Sequence, residues 1–246
     1  MQQTVHITID GVNIPARAGS TILEAADDAG IYIPRLCYHR SVTPHGSCRV
    51  CTVLVNGRPQ AACTQPAADG MVIENNTPVI LKHRRAIIDM LFVEGNHFCM
   101  FCEKSGRCEL QAVAYRLGIL AAQFPYQYPS RQVDASHPDI FLDTNRCILC
   151  GRCVQASMQR DSKGVFGFTG RSIWKSLTVS SGEGLSKTEL SGTDAAADIC
   201  PVGAIIRKRI GFDVPIGSRP YDKAPIGSEI ETRRAATGDE KCQSQK

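Results

Sequence analysis

Residues 95–111 read GNHFCMFCEKSGRCELQ and lie between two helix-like runs of the chain. Within a dozen positions this stretch contains His97, Cys99, Cys102 and Cys108. Four soft or borderline ligands this close together indicate a metal site rather than side chains that merely pack. Because thiolates bind iron and zinc alike, the spacing alone leaves both metals open.

Two further groups of cysteines flank this stretch. The upstream group has the spacing C-x10-C-x2-C-x11-C, and the downstream group has C-x2-C-x2-C followed by a distant Cys-Pro. Their members are Cys37, Cys48, Cys51 and Cys63 upstream, and Cys147, Cys150, Cys153 and Cys200 downstream. Both spacings are typical of iron–sulfur sites. We therefore predict three clusters in series, with residues 95–111 holding the middle one.

The upstream group predicts a [2Fe–2S] cluster. Its paired C-x2-C and its distant fourth cysteine match plant-type ferredoxins, although its first gap is longer. Gly46 fits in this loop because a backbone that wraps a cluster must approach it closely. A zinc knuckle is the alternative.

The sequence around the upstream group predicts a small β-grasp domain over residues 1–77. Alternating apolar residues over 4–10 and a second extended run over 12–17 predict a β-hairpin. Thr21 and Glu24 form a capping-box pattern that begins a short helix. Further extended runs follow the cysteine loop, which gives the strand and helix order of this fold.

Residues 78–124 predict a small helical unit around the central motif. Thr77-Pro78 suits a helix N-cap followed by proline at the first helical position, and the helix should end near Gly95. Helical spacing resumes after Cys108 and stops at Gly118. The motif is thus a ligand loop between two helices.

Residues 125–212 predict a ferredoxin-like module with one [4Fe–4S] cube. Three closely spaced cysteines and a later Cys200-Pro201 are typical of such a cube. In two-cluster ferredoxins the Cys-Pro cysteine of each half completes the cluster of the other half. Ser157 stands at the position of the first-half Cys-Pro cysteine, so the second cube is expected to be missing. Buried structural thiols are the alternative.

Composition limits the class of protein. A chain of 246 residues favours two or three compact units. No signal peptide and no apolar run near ~20 residues is visible, so we expect a cytoplasmic protein whose thiols stay reduced. The net charge of +4 gives no support to nucleic-acid binding.

Outside the cysteine groups the sequence offers no active site. No Gly-rich dinucleotide fingerprint and no Walker A sequence occurs, so we expect no catalytic residue and no NAD or flavin site. Residues 84–85 and 207–209 are basic and predicted to be solvated, and Trp174, Phe166 and Phe168 are predicted to be core. The polar residues 213–246, which include Cys242, are predicted to form an extended tail that orders only against a partner.

The central motif resembles the His/Cys3 [4Fe–4S] motif H-x3-C-x2-C-x5-C, which is followed by Leu-Gln. That motif occurs in the large peripheral-arm iron–sulfur subunit of respiratory complex I and in iron-only hydrogenases. Cys99, Cys102 and Cys108 match its cysteines, whereas its histidine position falls on Gly95. The resemblance implies a [4Fe–4S] cluster here, and we expect His97 to be its fourth ligand because no cysteine nearby is spare.

The order of the three sites resembles the N-terminal part of the complex I subunit and of NAD-dependent formate dehydrogenase large subunits. Those proteins continue into a further domain, whereas the diaphorase gamma subunits of cytoplasmic NAD-reducing [NiFe] hydrogenases end where this chain does. The stretch EGNHFCMFCEKSG looks most similar to this last family.

The resemblance to the hydrogenase family implies an α+β fold with one [2Fe–2S] and two [4Fe–4S] clusters. It further implies a subunit of a hydrogen:NAD+ oxidoreductase that passes electrons between the [NiFe] hydrogenase small and large subunits and an FMN- and NAD-binding diaphorase subunit. The same relay in a formate dehydrogenase or a complex I-like enzyme is an alternative. A zinc-bound structural adapter is the alternative from another class.

Overall fold

The computed structural model describes residues 3–233 and has a mixed α+β fold. It contains three sheets and several helices, and the two-stranded sheet is inserted in the chain between two strands of the three-stranded one. The strands are β1 (Thr4–Ile9), β2 (Val12–Arg17), β3 (Thr52–Val55), β4 (Arg58–Ala61), β5 (Val72–Glu74), β6 (Val133–Asp134), β7 (Ile140–Asp143), β8 (Phe166–Thr169), β9 (Ser176–Val179) and β10 (Ile205–Arg207). The helices are α1 (Ile22–Asp28), α2 (Pro78–Val93), α3 (Glu109–Arg116), α4 (Arg152–Gln159) and α5 (Ala195–Asp198).

The N-terminal domain is a five-stranded sheet in the order β2-β1-β5-β3-β4. β1 and β5 pair in parallel and the other neighbours are antiparallel. Alternation along β1 buries Ile7 and Ile9, and α1 begins with both hydrogen bonds of the predicted capping box between Thr21 and Glu24. The predicted β-grasp arrangement is confirmed, and it leaves the cysteine loop at one end of the sheet.

The middle unit is the predicted pair of helices. The Thr77 hydroxyl accepts the backbone N–H of Ile80 at the start of α2, and α3 begins directly after Cys108. Along α2 the buried positions 80, 84 and 88 recur every four residues, which is one helical stripe. No described helix is long and apolar enough to cross a membrane.

Arg84 corrects one prediction from the sequence. It lies on the buried stripe of α2 between Ile80 and Ile88 and is only 2% exposed, whereas the basic pair at 84–85 predicts a solvated face. Its neighbour Arg85 is exposed as predicted. A charged residue can occupy such a stripe only because its donors find acceptors there, as described below.

The C-terminal module contains the antiparallel sheet β10-β7-β6, the helices α4 and α5, and the hairpin β8–β9. Ser157, at the position of the missing cysteine, is fully buried in α4. Its hydroxyl accepts the backbone N–H of Val165 at 2.7 Å. The lost ligand position has thus become an ordinary hydrogen-bonded core position.

The aromatic residues near β8 divide between core and surface. Phe166 is buried as predicted, but Trp174 is 79% exposed and Phe168 is 36% exposed. Trp174 lies in the short turn that joins β8 to β9, at the end of a two-stranded hairpin. The prediction that Trp174 and Phe168 belong to the core is therefore wrong.

Residues 213–233, which we call the strap, run back over the body of the protein. Ile226 and Ile230 are buried in the main apolar core, and residues 228–233 are helical. The prediction that this segment needs a partner to become ordered is wrong for these residues. The rest of the predicted tail, including Cys242, lies outside the described residues.

Candidate metal centres

The first centre lies where the loop after α1 meets the hairpin β3–β4. The thiols of Cys48 and Cys63 contact that of Cys37 and lower its pKa, while contacts with Cys37 and Cys51 raise the pKa of Cys63. The backbone N–H of Cys37 also points to the sulfur of Cys48, 3.4 Å away. All four predicted ligands of this centre are therefore brought together.

Gly46 makes room for this loop, as the sequence predicted. Its backbone has φ +67°, and a Cβ built there would lie 3.2 Å from the Thr64 side chain, next to Cys63. Any larger residue would be strained in this conformation and tight against the segment that carries a ligand.

The third centre is a small cavity in the C-terminal module. All four predicted ligands line it, together with apolar side chains such as Leu177 and Val202. Burial raises the pKa of the Cys147 thiol to about 11 and raises those of Cys150 and Cys153 still further. The fourth member, Cys200, is also buried.

The central centre is built on the short helical turn Cys99–Phe101 and the N-terminus of α3. Burial is the main cause that raises the pKa of Cys99 and of Cys108, for Cys108 to about 12. The charge of Cys102 raises both pKa values further. Gln111 explains the Leu-Gln that follows the motif, because its side-chain oxygen accepts the backbone N–H of Gly106 at 3.0 Å and holds the loop closed.

His97 does not lie free in this loop. Its ring packs edge-on against Phe92, with centroids 5.5 Å apart. A Cβ built on Gly95 would fall 2.4 Å from the His97 Nε2 atom, so the imidazole occupies the space that a side chain at position 95 would fill. Nε2 is buried and has no hydrogen-bond partner within residues 3–233.

Burial keeps the His97 ring neutral. It lowers the pKa of His97 to about 4, with a further contribution from the charge of Arg146, whereas a hydrogen bond to the Leu91 backbone acts in the opposite direction. The neutral imidazole is the form that binds metals, commonly with its other nitrogen bound to a backbone carbonyl.

The central and third centres are in direct contact. The backbone N–H of Glu109, next to Cys108, donates to the carbonyl of Pro201, next to Cys200, at 2.8 Å. A Cβ built on Gly203 would lie 2.6 Å from the Cys102 sulfur. The loop that follows Cys200 thus forms one wall of the central centre.

The first centre also adjoins the third. The ring of His45, from the loop between Cys37 and Cys48, lies so close to Gly151 that a Cβ there would be 2.9 Å from it. Gly151 separates Cys150 from Cys153. The three groups of cysteines therefore form one continuous region of the protein.

Two arginines near the cysteines are buried, although the sequence predicted Arg84 to be solvated and predicted no role for Arg152. Arg152, between Cys150 and Cys153, forms a bidentate ion pair with Glu109 at 2.6 Å for each bond. Arg84 is discussed further below. Two sequence features could have indicated that these arginines are buried: Arg152 lies inside the cysteine motif, and Arg84 lies on the apolar stripe of α2.

The donor sets fit iron–sulfur clusters in their chemistry and surroundings. Every described cysteine is a free thiol and is buried or half-buried. Across residues 3–233, no three His, Cys, Asp or Glu side chains are arranged to hold a single metal ion. Burial favours the neutral thiol, so the positive charge of iron is what would let several thiolates share such a site.

Comparisons with protein families assign the three regions separately. Residues 2–78 match the 2Fe-2S iron-sulfur cluster binding domain. Residues 84–122 match the NADH-ubiquinone oxidoreductase-G iron-sulfur binding region, and residues 137–206 match the ferredoxin-like domain of NADH-quinone oxidoreductase subunit 3. The expected complement of one [2Fe–2S] and two [4Fe–4S] clusters is confirmed.

The chain is similar to subunits of two kinds of enzyme. It is 39% identical to the gamma chain of the NAD-reducing hydrogenase HoxS of Cupriavidus necator, over 97% of this chain and 100% of the relative. It is 34% identical to the mitochondrial NADH-ubiquinone oxidoreductase 78 kDa subunit of Neurospora crassa, where the match covers 89% of this chain and only 29% of the relative.

A solved structure is also similar to this chain over almost its full length. One chain in the crystal structure of an NAD+-reducing [NiFe]-hydrogenase in the H2-reduced state matches with a TM-score of 0.89 and 48% sequence identity. The match covers 94% of this chain and 98% of that one.

Fold and sites together define a three-centre iron–sulfur subunit of the kind shared by NAD-linked hydrogenases and complex I. Within this class, the hydrogenase subunits named above match over almost the full length of both chains, whereas the match to the complex I relative covers a small part of that protein. The chain belongs to the family of NAD-reducing hydrogenase gamma chains.

Proposed function

We propose that this chain passes electrons through three iron–sulfur centres inside an NAD-reducing hydrogenase. The proposed ligand sets are those predicted from the sequence, within units over residues 1–77, 78–124 and 125–212. The first centre takes Cys37, Cys48, Cys51 and Cys63; the central one takes His97, Cys99, Cys102 and Cys108; the third takes Cys147, Cys150, Cys153 and Cys200.

The contact between neighbouring centres is the observation that carries this proposal. Electron transfer slows steeply with distance, so a relay needs its redox sites close together in one protein body. One hydrogen bond joins the residues next to Cys108 and Cys200, and His45 joins the loop of the first centre to that of the third. An adapter that only held partners together would not need this arrangement.

The chain's own part is to bind the clusters, exclude water and set their reduction potentials. When bound, iron–sulfur clusters supply one-electron transfer over potentials from roughly −700 to +450 mV. The chain would work in the cytoplasm and convert no substrate itself. Its partners would be an FMN- and NAD-binding diaphorase subunit and the small and large subunits of a [NiFe] hydrogenase, in line with the names of the relatives.

Metal analysis and spectroscopy test this function. We expect purified protein to contain about ten irons with matching acid-labile sulfide, since cysteine sets of these types hold one [2Fe–2S] and two [4Fe–4S] clusters. Reduction by dithionite should give three separable low-temperature EPR signals. Zinc in place of iron, with no sulfide, would show an adapter instead.

A second measurement tests whether the chain has a substrate site. NADH should reduce a dye only after the diaphorase subunit is added to the purified chain. Dye reduction by the chain alone, free of flavoprotein, would reveal an active site that the proposal denies.

For His97, three features support its proposed role as the fourth ligand of the central centre. Its Nε2 is a buried nitrogen without a partner among the described residues, its ring is neutral at physiological pH, and it fills the place of a side chain at position 95. The third feature bears on the two-residue displacement from the family motif, because the ring of His97 reaches back to the position that a Cβ at residue 95 would occupy.

A further inference from the structure

Arg84 is a buried cation on α2 that reaches into the N-terminal domain. Its guanidinium Nε donates to the Val50 carbonyl at 3.1 Å, and Nη2 donates to the Thr52 carbonyl at 2.9 Å. Val50 and Thr52 are the two neighbours of Cys51 in the chain. The charged group therefore binds the backbone on both sides of Cys51, a proposed ligand of the first centre.

Among the described residues, no carboxylate neutralises this charge by direct contact. The remaining bonds of Arg84 go to the Asn75 carbonyl at 2.9 Å and to the Asn75 side-chain oxygen at 2.7 Å, so all four acceptors are neutral. None of the ion pairs found within residues 3–233 includes Arg84. Arg152, at the third centre, differs because Glu109 pairs with it.

The electrostatic interactions of Arg84 also connect its charge with Cys51. Burial lowers the pKa of Arg84 to about 10, and the largest opposing influence is the charge of Cys51, ahead of Asp10. The guanidinium remains charged at neutral pH. In a buried environment, a full charge next to a ligand acts on it more strongly than the same charge would in water.

We propose that Arg84 is a positioning residue that raises the reduction potential of the first centre. This inference rests on the proposed ligand set Cys37, Cys48, Cys51 and Cys63. Reduction adds one negative charge to a cluster, and a fixed positive charge nearby stabilises the reduced state. The same guanidinium also holds α2 against the N-terminal domain, so its electrostatic and structural roles must be separated.

Four variants separate the two roles. Arg84→Gln removes the charge, whereas Arg84→Lys keeps a cation but loses the guanidinium fork. Asn75→Asp leaves Arg84 in place and offers it a carboxylate where Asn75 Oδ1 now accepts Nη2. The matched control is Arg85→Gln, because the adjacent Arg85 binds the Leu117 carbonyl at 2.8 Å, away from the N-terminal domain.

The measurement is a redox titration of the purified full-length chain, followed by EPR of the [2Fe–2S] signal. At a fixed applied potential, Arg84→Gln and Asn75→Asp should each lower the ratio of reduced to oxidised first centre about tenfold, which equals about 59 mV for a one-electron couple. Arg84→Lys and Arg85→Gln should leave that ratio near wild type. The two [4Fe–4S] signals in the same samples serve as internal references.

Each outcome decides the matter. Equal shifts in Arg84→Gln and Arg84→Lys, or no shift in Arg84→Gln and Asn75→Asp, would overturn the inference and leave Arg84 a structural residue. Should Arg84→Gln fail to fold, Asn75→Asp retains the hydrogen bond to Arg84, and an unshifted ratio in that variant alone would overturn the inference. A wild-type protein without any [2Fe–2S] signal would instead overturn the ligand set, and the inference with it.

Discussion

His97 shows how one side chain can take over the position of another. Its Nε2 lies where the side chain of residue 95 would start, and Gly95 leaves that space free. The hydroxyl of Tyr126 donates to the Gly95 carbonyl at 2.7 Å, and the N–H of Asn96 donates to the Asn145 carbonyl at 2.8 Å. These bonds fix the backbone that the ring rests on.

This geometry predicts the behaviour of three variants at the central centre. His97→Ala should lose or distort the EPR signal of that centre alone. His97→Cys should keep a cube at a lower potential, because a thiolate adds a negative charge that neutral imidazole lacks. The double variant Gly95→His with His97→Gly should restore a signal close to wild type.

The exposed His83 on α2 provides the matched control for these variants. His83→Ala should leave all three EPR signals and potentials unchanged. If His97→Ala and His97→Cys also gave the wild-type spectrum and potential, the fourth ligand would have to be a different residue.

At the residue scale, cysteine spacing was the most informative part of the sequence, because ligand chemistry tolerates few substitutes. Charged residues were harder to predict. Arg84 and Arg152 are buried because tertiary contacts supply acceptors from Val50, Thr52 and Glu109, which are distant in the chain. Composition and local pattern do not contain that information.

At the scale of elements, Glu109 and Arg152 connect the first turn of α3 to the first turn of α4. The two residues are 43 positions apart in the chain, yet both oxygens of Glu109 accept from Arg152. Each residue neighbours a proposed ligand, so this ion pair connects the central and third centres in addition to the hydrogen bond between Glu109 and Pro201. Arg152 is 2% exposed in its side chain and Glu109 is 25% exposed.

Glu109→Gln should therefore destabilise the junction of α3 and α4. Removing one partner leaves the buried charge of Arg152 without compensation, and we expect a loss of about 2 kcal/mol, below the usual 3–5 kcal/mol because Glu109 is partly exposed. Thermal loss of visible cluster absorbance would measure it. The exposed Glu189, changed to Gln, is the control and should leave the thermal midpoint unchanged. Equal midpoints for the two variants would contradict the role given to this ion pair.

Elements with strong local signals were predicted well. The hairpin over residues 4–17, the capping box at Thr21 and the Thr77-Pro78 start of α2 all have local causes, and the structure contains each of them. Trp174 was misplaced because its apolar ring gives no information about whether another layer will cover the hairpin. Coverage depends on packing between distant parts of the chain.

At the scale of the whole molecule, the strap joins the central loop to the N-terminal domain. Arg219 donates to the Ser105 carbonyl at 3.3 Å, and the Tyr221 N–H donates to the Gly106 carbonyl at 3.2 Å. Further along, Gly227 lies directly against the ring of Tyr32. Low apolar content suggested a free arm, but two buried isoleucines, several hydrogen bonds and the ion pairs Arg107–Asp213 and Arg116–Glu231 hold it.

Ile230→Ala should loosen the strap and weaken the central centre. Ile230 is 5% exposed, and truncating a buried isoleucine costs about 2 kcal/mol at the lower end of the usual range. We expect a thermal midpoint several degrees lower and faster loss of the central EPR signal in air, with the first centre less affected.

Ile216→Ala tests whether the effect is specific to burial, because Ile216 lies in the same strap but is 85% exposed. This control should behave as wild type, within about 0.5 kcal/mol. Similar losses from both variants would mean that the strap does not act through its buried side chains.

The position of the strap in the chain has a consequence for biosynthesis. A ribosome completes residues 95–111 about a hundred residues before it reaches the strap that covers residues 105 and 106. During that interval the central loop has its three cysteines but not its cover. A nascent chain that still lacks residues 213–233 would therefore leave this loop open to the delivery of iron and sulfide, and synthesis of the strap would then cover it.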